Sequence, residues 1–392
     1  MAVQYHAIFS HTTMPPASVA ATSPLRPVHG GIKPAELRAL GLRAEDCLDF
    51  SASVSPLGPP GGVAEATASV DLAAYPDPHC LALTEAIAAH HGQDGVAVEN
   101  VIVGNGSTEV IHLLTRAYIG LPPSGCSASA LLLTPTYGEY DGAVRISGGE
   151  VHTLTATRAD GGFAWDIAAA IAEINTRRPA LVFVCNPNNP TGAMLASQEL
   201  HRLANAAESV GSLLVVDEAY INLAERHAEA DVVALAARHR SIIALRSMTK
   251  DYALTALRLG YAVASPEVID RLLALQPDWS VNGLAQAAGV VALADVEYPP
   301  RARAAVAASL RCVVDGLDTL GIRCYPAAAN FVLAQVEDAG ALRDRLARRG
   351  LFVRDCASFG LPDCIRIGLR PVEDCRRLTD AIAEVRNDNA AK

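Results

Sequence analysis

Short runs of apolar residues alternate with longer helical segments through the middle of the chain. Six runs rich in Val, Ile and Leu predict buried strands: Val101–Val103, Leu131–Leu133, Leu181–Val184, Leu213–Val216, Ile242–Leu245 and Tyr261–Ala264. Between them, segments such as Thr108–Tyr118, Asp166–Asn175 and Ser197–Ser209 have helical character. Because a strand that is apolar throughout must be covered on both faces, this alternation predicts an α/β fold with a mainly parallel central sheet flanked by helices.

The pattern changes near residue 280. A long Ala-rich helical stretch around residues 283–318 leads to four short segments that predict strands: Ile322–Tyr325, Phe331–Ala334, Leu351–Val353 and Cys364–Ile367. Helices are predicted between these strands near residues 339–349 and 371–386, which together indicate a smaller α+β C-terminal domain.

Three parts of the chain follow from these patterns. We expect a flexible arm at residues 1–28 and a large domain at residues 29–282, whose first part contributes to the small domain. A connecting helix and the small domain are expected to occupy residues 283–392.

Composition narrows the class of protein. Of 392 residues, 32 are Lys or Arg and 42 are Asp or Glu, a net charge of −10 that argues against nucleic acid or an anionic membrane as a partner. A hydrophobic content of 51% excludes disorder of the whole chain. Nine scattered cysteines without Cys-x-x-Cys spacing predict neither disulfides nor a metal site. Since neither a signal peptide nor a membrane-spanning run is recognisable, we expect a soluble, cytoplasmic protein.

Polar segments follow several of the predicted strands. In the segment VGNGSTE, residues 103–109, a strand ends and a helix begins at two glycines followed by Ser107 and Thr108. Free backbone N–H groups at such a helix start can bind a phosphate, although an ordinary strand-to-helix turn has the same pattern. The segment NPNNPTG, residues 186–192, predicts a rigid loop in which Asn188 and Asn189 offer amide groups, or simply a Pro/Gly turn.

Two further segments carry charge. Asp217 ends a strongly apolar strand, with Tyr220 three residues later, and it either binds a cationic group or caps the next helix. In the segment RSMTKDYALTALRLGY, residues 246–261, Lys250 stands among hydroxyl residues, and Arg258 follows it by eight positions. A single lysine is usually a surface charge, but this setting suits a lysine beside a bound phosphate.

In this order, the four segments resemble the fold-type I pyridoxal-phosphate enzymes of the aminotransferase class I/II superfamily, from His29 to the C-terminus. The resemblance implies pyridoxal 5′-phosphate as the cofactor and Lys250 as the catalytic lysine that holds it in an internal aldimine. It implies that Asp217 keeps the pyridine nitrogen protonated, and that Tyr220 and Asn189 hydrogen-bond the phenolic oxygen of the ring.

The resemblance also implies the remaining cofactor contacts. The phosphate would be held near the helix start and the lysine by Gly106, Ser107, Thr108, Ser247, Thr249 and Arg258. Tyr137 would stack on the ring, and Tyr75 would reach the phosphate of a neighbouring subunit, which implies a homodimer with shared active sites.

Segments outside the cofactor motifs are similar to those of the histidinol-phosphate aminotransferase and threonine-phosphate decarboxylase group. They are His29-Gly-Gly, residues 49–60, residues 279–282 and residues 353–356. The likeness to the family implies that Arg366 binds the substrate carboxylate, and the likeness to this group implies that His29 and Arg354 face a substrate phosphate. Asn330 opens a strand in the small domain at a position typical of the family, where it either binds the substrate or has a structural role. The chain departs from the group's pattern at Asp251, a carboxylate next to the lysine.

Three activities stay open at this point, with a small amino-acid substrate in the first two. One is an aminotransferase similar to histidinol-phosphate aminotransferase, acting on an α-amino acid through an external aldimine. Another is an α-decarboxylase similar to the threonine-phosphate enzyme, or a related eliminating or cyclising enzyme. The third is a ligand-sensing domain of a transcription regulator, which would need an attached basic DNA-binding module.

Overall fold

The computed structural model describes residues 27–390, with side chains through residue 387. The arm predicted at residues 1–28 therefore lies almost entirely outside the described residues. The strands are β1 (Leu48–Asp49), β2 (Val101–Asn105), β3 (Ser127–Thr134), β4 (Glu150–Thr155), β5 (Thr157–Ala159), β6 (Gly162–Ala164), β7 (Pro179–Cys185), β8 (Leu213–Asp217), β9 (Ile242–Ser247), β10 (Leu259–Ala264), β11 (Phe331–Gln335), β12 (Leu351–Phe352), β13 (Arg354–Asp355) and β14 (Cys364–Gly368).

The helices alternate with these strands in the first two thirds of the chain. They are α1 (Pro34–Leu40), α2 (Val63–Ala68), α3 (Leu81–His90), α4 (Gly106–Tyr118), α5 (Glu139–Ile146), α6 (Ile167–Arg177), α7 (Ser197–Val210), α8 (Val233–Ala236), α9 (Pro266–Leu273), α10 (Gly283–Ala294), α11 (Tyr298–Asp318), α12 (Ala339–Ala347) and α13 (Val372–Ala390). None of them is long and apolar enough to cross a bilayer, as far as the described residues extend.

A seven-stranded sheet in the order β2-β10-β9-β8-β7-β3-β4 forms the centre of the molecule. β10 is antiparallel to both of its neighbours, and every other pair in this sheet is parallel. The predicted mainly parallel sheet flanked by helices is confirmed. The edge strand β4 was not among the predicted strands, because its sequence EVHTLT mixes polar and apolar residues.

Both faces of this sheet are buried. In β7, Val182 and Val184 belong to one apolar cluster, whereas Leu181 and Phe183 belong to the cluster on the opposite face. Successive side chains of a strand point to opposite faces, so a strand covered by helices on both sides must be apolar at every position.

Truncating a side chain at the centre of this sheet should destabilise the protein. Leu214 in β8 is fully buried, and we expect Leu214→Ala to lower the free energy of unfolding by roughly 2–5 kcal/mol, because it removes apolar burial and leaves a cavity. Denaturant unfolding measures the change. Leu121→Ala is the control, since Leu121 is 66% exposed, and an equal loss in both variants would contradict the prediction.

A three-stranded antiparallel sheet in the order β11-β14-β13, with α12 and α13, forms the smaller C-terminal unit. The segment around β1, which precedes the large sheet in sequence, packs as part of this smaller unit. β1 pairs in parallel with β12, and the backbone N–H of Leu48 donates to the carbonyl of Gly350 at 2.8 Å. The N–H of Gly368 donates to the carbonyl of Phe50 at 2.7 Å. The predicted small α+β domain is confirmed, whereas its boundary at residue 283 stays a prediction.

Two elements predicted in the last third of the chain were wrong in detail. The stretch 283–318 is two helices rather than one, because Pro299 and Pro300 are tolerated only in the first turn of a new helix, which begins at Tyr298. Residues Ile322–Tyr325 form no strand; Cys324 makes only an isolated bridge to Ala334.

All nine cysteines are free thiols. All of these cysteines lie within the residues that the structure describes, and none of them is paired in a disulfide. The cytoplasmic location stays a prediction.

Candidate active site

Three neighbouring strands of the large sheet end at one edge, and each leads into a polar segment. β7 ends at Cys185, β8 at Asp217 and β9 at Ser247, and the three strands are parallel. β2 runs in the same direction and ends at Asn105, where α4 begins. Ligands of open α/β sheets bind beyond the carboxyl ends of the strands, so the segments meet where a ligand is expected.

These strand ends surround a cavity of about 630 Å³. The residues predicted from the sequence that line it are His29, Ser107, Thr108, Tyr137, Asn189, Asp217, Tyr220, Ser247, Thr249, Lys250, Arg258, Arg354 and Arg366. The structure thus brings acidic, cationic and hydroxyl groups from distant parts of the sequence into one cavity.

The start of α4 forms a site suited to an anion. Gly106 has a φ of 73°, and a Cβ at this position would lie 2.9 Å from Nη2 of Arg258, so the glycine permits the arginine to approach. The hydroxyls of Ser247 and Thr249 lie 2.7 Å apart on the adjacent loop. Backbone N–H groups of the first helical turn, two hydroxyls and a guanidinium are the donors that bind a phosphate.

Asp217 is a buried carboxylate at the end of β8. Its Oδ2 accepts a hydrogen bond from the hydroxyl of Tyr140 at 2.6 Å, and its Oδ1 accepts one from the backbone N–H of Ala219 at 3.1 Å. Burial raises the pKa of Asp217, whereas both hydrogen bonds act in the opposite direction. These two donors and the positive charge of Lys250 therefore favour the ionised form of Asp217 against the effect of burial.

Lys250 lies half-buried among cationic neighbours in the same cavity. Burial lowers the pKa of its amine to about 8, and the positive charges of Arg366 and Arg258 contribute to this shift. A lysine with this pKa is partly neutral near pH 7, and only the neutral amine can act as a nucleophile or accept a proton.

The carboxylate of Asp251 does not line the cavity. Its Oδ2 accepts a hydrogen bond from Nδ2 of Asn222 at 2.7 Å, and burial raises its pKa to about 7. Although Asp251 follows Lys250 in the sequence, its side chain belongs to a hydrogen-bond network beneath the site.

Asn189 and Tyr220 both line the wall of the cavity. Oδ1 of Asn189 accepts a hydrogen bond from Nη1 of Arg366, and the ring of Tyr220 packs edge-on against Phe331 at 5.2 Å. Asn188, in contrast, is held by protein contacts: its Nδ2 donates to Oγ1 of Thr191 in the same loop at 2.8 Å and to the carbonyl of Pro135, just after β3, at 2.9 Å. Of the two asparagines, only Asn189 lines the cavity.

Arg354 and Arg366 are directly paired positions of β13 and β14. Arg366 donates to the carbonyl of Ser51 at 2.6 Å, and Arg354 donates to the carbonyl of Val28 at 2.9 Å and to Oγ of Ser358 at 2.6 Å. Arg354 is 7% exposed and Arg366 is 5% exposed, and neither forms an ion pair with a carboxylate within residues 27–387. Burial and the charge of Arg366 lower the pKa of Arg354. Two adjacent buried arginines without a carboxylate partner are an arrangement suited to binding an anion.

His29 is held at the cavity by a glutamate. Nε2 of His29 lies 3.1 Å from Glu139, whose other carboxylate oxygen lies 3.0 Å from Nε2 of His112. Hydrogen bonds from the two histidines lower the pKa of Glu139 to about 2. The ring of His29 also lies 5.7 Å from that of Tyr137, so the histidine covers the predicted stacking residue.

The remaining predicted site residues do not line the cavity. Gly106 lies next to Arg258, which does line the cavity. Asn330 is fully buried, and its side-chain amide has no hydrogen-bond partner among the described residues. Tyr75 is 81% exposed and packs its ring against Trp279 at 4.8 Å.

Tyr140 and Glu139 are two polar side chains of the site to which the sequence analysis assigned no role. Both lie in the first turn of α5, just after Tyr137. The signal that could have indicated Tyr140 is its spacing of three residues from Tyr137, since residues three apart at a helix start lie on one face.

Comparison with known proteins gives this cavity a context. The family model of aminotransferases of class I and II matches residues 45–382. Histidinol-phosphate aminotransferase of Symbiobacterium thermophilum is 35% identical over 348 residues, which cover 88% of this chain and 91% of the relative. Threonine-phosphate decarboxylase of Salmonella typhimurium is 33% identical over 369 residues, covering 91% of this chain and 96% of the relative.

The fold has solved counterparts. The crystal structure of histidinol-phosphate aminotransferase from Sinorhizobium meliloti in complex with pyridoxal-5′-phosphate is similar to this structure with a TM-score of 0.78. The likeness covers 94% of this chain and 99% of the other at 24% identity, and it supports the fold assignment. The family model covers most of the chain, from β1 to α13, and this protein therefore belongs to the class I and II aminotransferase family.

Proposed function

We propose that the protein is a pyridoxal-phosphate-dependent aminotransferase similar to histidinol-phosphate aminotransferase, acting on a small amino donor that carries an anionic group. The observation that carries the proposal is the shared cavity of Lys250, Asp217 and the pair Arg354 and Arg366. A nucleophilic amine, a buried carboxylate and a double cationic site are the groups this chemistry needs.

The residues present fit the cofactor. Asp217 has two protein donors and still faces the cavity, where the ring nitrogen of pyridoxal phosphate could bind to it. The start of α4 with Ser247, Thr249 and Arg258 would hold the phosphate. When bound, the cofactor supplies an aldehyde and an electron-accepting ring.

The protein's own groups divide the remaining work. The amine of Lys250, with a pKa of about 8, would hold the aldehyde and, once the substrate's own amine has displaced it, would be free to accept and return a proton at Nζ. Asp217, kept ionised, would hold a proton on the ring nitrogen. Arg366, fixed by Asn189 and Ser51, orients the substrate anion, and orientation decides which substrate bond reacts.

A second candidate is an α-decarboxylase similar to threonine-phosphate decarboxylase. The observation in its favour is that Arg354 and Arg366 form two adjacent cationic positions, which suits a substrate carrying both a carboxylate and a phosphate. His29 adds a third polar group on the same side of the cavity.

Mass spectrometry of the released cofactor distinguishes the two candidates. The holoenzyme is incubated with histidinol phosphate, phosphothreonine and a panel of amino acids, with no keto acid present. Conversion of the cofactor to pyridoxamine phosphate is the expected result and shows transamination. Cofactor that stays an aldehyde while one compound loses carbon dioxide would replace the proposal with the decarboxylase. A protein that binds no pyridoxal phosphate would contradict both.

The phosphate site can be tested at Gly260 in β10. A Cβ there would lie 2.4 Å from the N of Ser107 and 2.9 Å from the C of Gly106. We expect Gly260→Ala to weaken binding of pyridoxal phosphate roughly ten- to a hundredfold, because the start of α4 must shift. Equilibrium dialysis measures the dissociation constant. Gly161→Ala is the control, since its Cβ would meet nothing within 4 Å, and equal affinities in the two variants would contradict this assignment.

We also propose a homodimer in which Tyr75 contributes to the partner's phosphate site. Its support is the exposed apolar surface of Leu72, Tyr75 and Trp279 near residue 75, which are 80%, 81% and 47% exposed. Sedimentation equilibrium should give twice the mass of the chain. Inactive Tyr75→Ala and Lys250→Ala chains, unfolded and refolded together, should regain activity in hybrid dimers; a monomer, or no recovery, would refute the shared site.

A further inference from the structure

We propose that Tyr140 is a positioning residue that fixes the carboxylate of Asp217 through its hydroxyl and thereby controls the affinity for the cofactor. The inference deepens the proposed function and rests on it, because it assigns a role to a residue that acts on the cofactor only through Asp217.

The hydrogen bonds of Asp217 are divided between its two oxygens. The Tyr140 hydroxyl donates to Oδ2 at 2.6 Å, within the range of a charge-assisted O–H···O⁻ bond, and the N–H of Ala219 donates to Oδ1 at 3.1 Å. The Ala219 contact comes from the neighbouring backbone and can exist in any rotation that keeps Oδ1 in place. Among the hydrogen bonds of the described residues, the one from Tyr140 comes from another element, α5, and it restrains the plane of the carboxylate.

The hydroxyl of Tyr140 is itself fixed by packing. Its ring is fully buried and stacks on Phe183 of β7, with centroids 4.7 Å apart and an angle of 14° between the planes. Tyr137 packs against its edge at 5.6 Å and 85°. Because the ring is held on two sides, the hydroxyl direction is determined by apolar contacts rather than by the hydrogen bond alone.

Tyr140 can only donate to Asp217. Burial and the charge of Asp217 raise the pKa of Tyr140 well above its ordinary value, so the phenol stays protonated. Donation favours the ionised carboxylate in a site where burial disfavours it. An ionised carboxylate is what the protonated ring nitrogen requires, and the same tyrosine packs against Tyr137, the predicted stacking residue.

Tyr140→Phe tests this role, since it keeps the stacked ring and removes the hydroxyl alone. Hydrogen bonds to charged groups correspond to roughly ten- to a hundredfold in an equilibrium constant, and we expect the dissociation constant of pyridoxal phosphate to rise by that factor. Equilibrium dialysis of the apoenzyme measures it. We also expect kcat to fall at least about tenfold while KM for the amino donor changes less than about threefold.

Tyr261→Phe is the matched control. Tyr261 is also a buried tyrosine with a hydrogen-bonded hydroxyl, 2.9 Å from Nε2 of His91, and it does not line the cavity. The two variants should show similar shifts in melting temperature, but only Tyr140→Phe should weaken cofactor binding. Equal cofactor affinity in both variants would overturn the proposal.

A double-mutant cycle separates positioning from general damage to the fold. If Tyr140 acts through Asp217, Tyr140→Phe should weaken cofactor binding less than about twofold in an Asp217→Ala background. The full loss in that background would show an independent structural effect and would refute the inference. Failure of the wild-type protein to bind pyridoxal phosphate would instead refute the proposed function on which it rests.

Discussion

Lys250→Ala is expected to abolish the covalent attachment of pyridoxal phosphate and to lower kcat by at least about a thousandfold. In the proposed mechanism the amine would both bond the aldehyde and act as the base beside the substrate, and loss of a positioned base alone costs about 10²–10⁴-fold. Borohydride reduction of the holoenzyme, followed by peptide mass spectrometry, should place the adduct on the peptide containing residue 250 in the wild type and remove it in the variant.

Lys33→Ala is the control for this experiment. The chain has only three lysines, and Lys33 is exposed and does not line the cavity. It should leave the adduct and the turnover unchanged. A reducible adduct that persists in Lys250→Ala would show that another residue holds the cofactor and would overturn the assignment of this lysine.

Arg366→Lys is expected to raise KM for the amino donor about a hundredfold and to lower kcat as well. Lysine keeps the positive charge but loses the planar fork, which in Arg366 contacts both Asn189 and the carbonyl of Ser51 while facing the cavity. Removal of a buried charged hydrogen-bond partner costs about 2–5 kcal/mol, which corresponds to roughly 30- to 5,000-fold and includes the expected factor. Steady-state kinetics of the holoenzyme with the identified donor measures both constants.

Arg158→Lys provides the comparison for Arg366→Lys. Arg158 also forms a forked arginine contact, with Asp363 at 3.0 and 2.8 Å, but it lies outside the cavity. The control should change stability without changing KM. If Arg366→Lys raised KM no more than Arg158→Lys, the substrate anion would bind elsewhere.

The buried strands were predictable because a strand that is apolar at every position must be buried on both faces. A run such as LVFV at residues 181–184 is apolar at every position, which only a sheet covered on both faces permits. The direction of a strand, in contrast, cannot be deduced from its amino-acid composition. Leu259–Ala264 resembles its two neighbours β2 and β9 in composition, yet it runs antiparallel to both of them.

Helix boundaries were predictable only where the signal is local. Pro299 and Pro300 mark the start of α11 and were available in the sequence, whereas Ile322–Tyr325 makes only an isolated bridge to β11. Whether such a bridge extends into a full strand depends on the geometry of both segments, which a short stretch of sequence does not reveal.

The residues of the candidate site also differ in whether local sequence could predict their placement. Asp217 and Lys250 follow buried strands, so their placement at one sheet edge follows from the fold. Tyr140 and Glu139 could not be paired with Asp217 and His29 in advance, because those contacts join residues 77 and 110 positions apart through the packing of α5. The roles of the predicted residues toward the cofactor stay predictions until the variants above are measured.

The pairing of β1 with β12 has a consequence for how the protein is made. Residues 48–53, which carry Ser51 and one wall of the cavity, are synthesised early, but their backbone partners are Gly350, Phe352 and Gly368. The ribosome adds roughly 5–20 residues per second, so the early segment waits for many seconds before those partners emerge. The cavity is therefore completed only when synthesis is nearly finished, and the growing chain cannot capture the cofactor in its final site while most of it is still being translated.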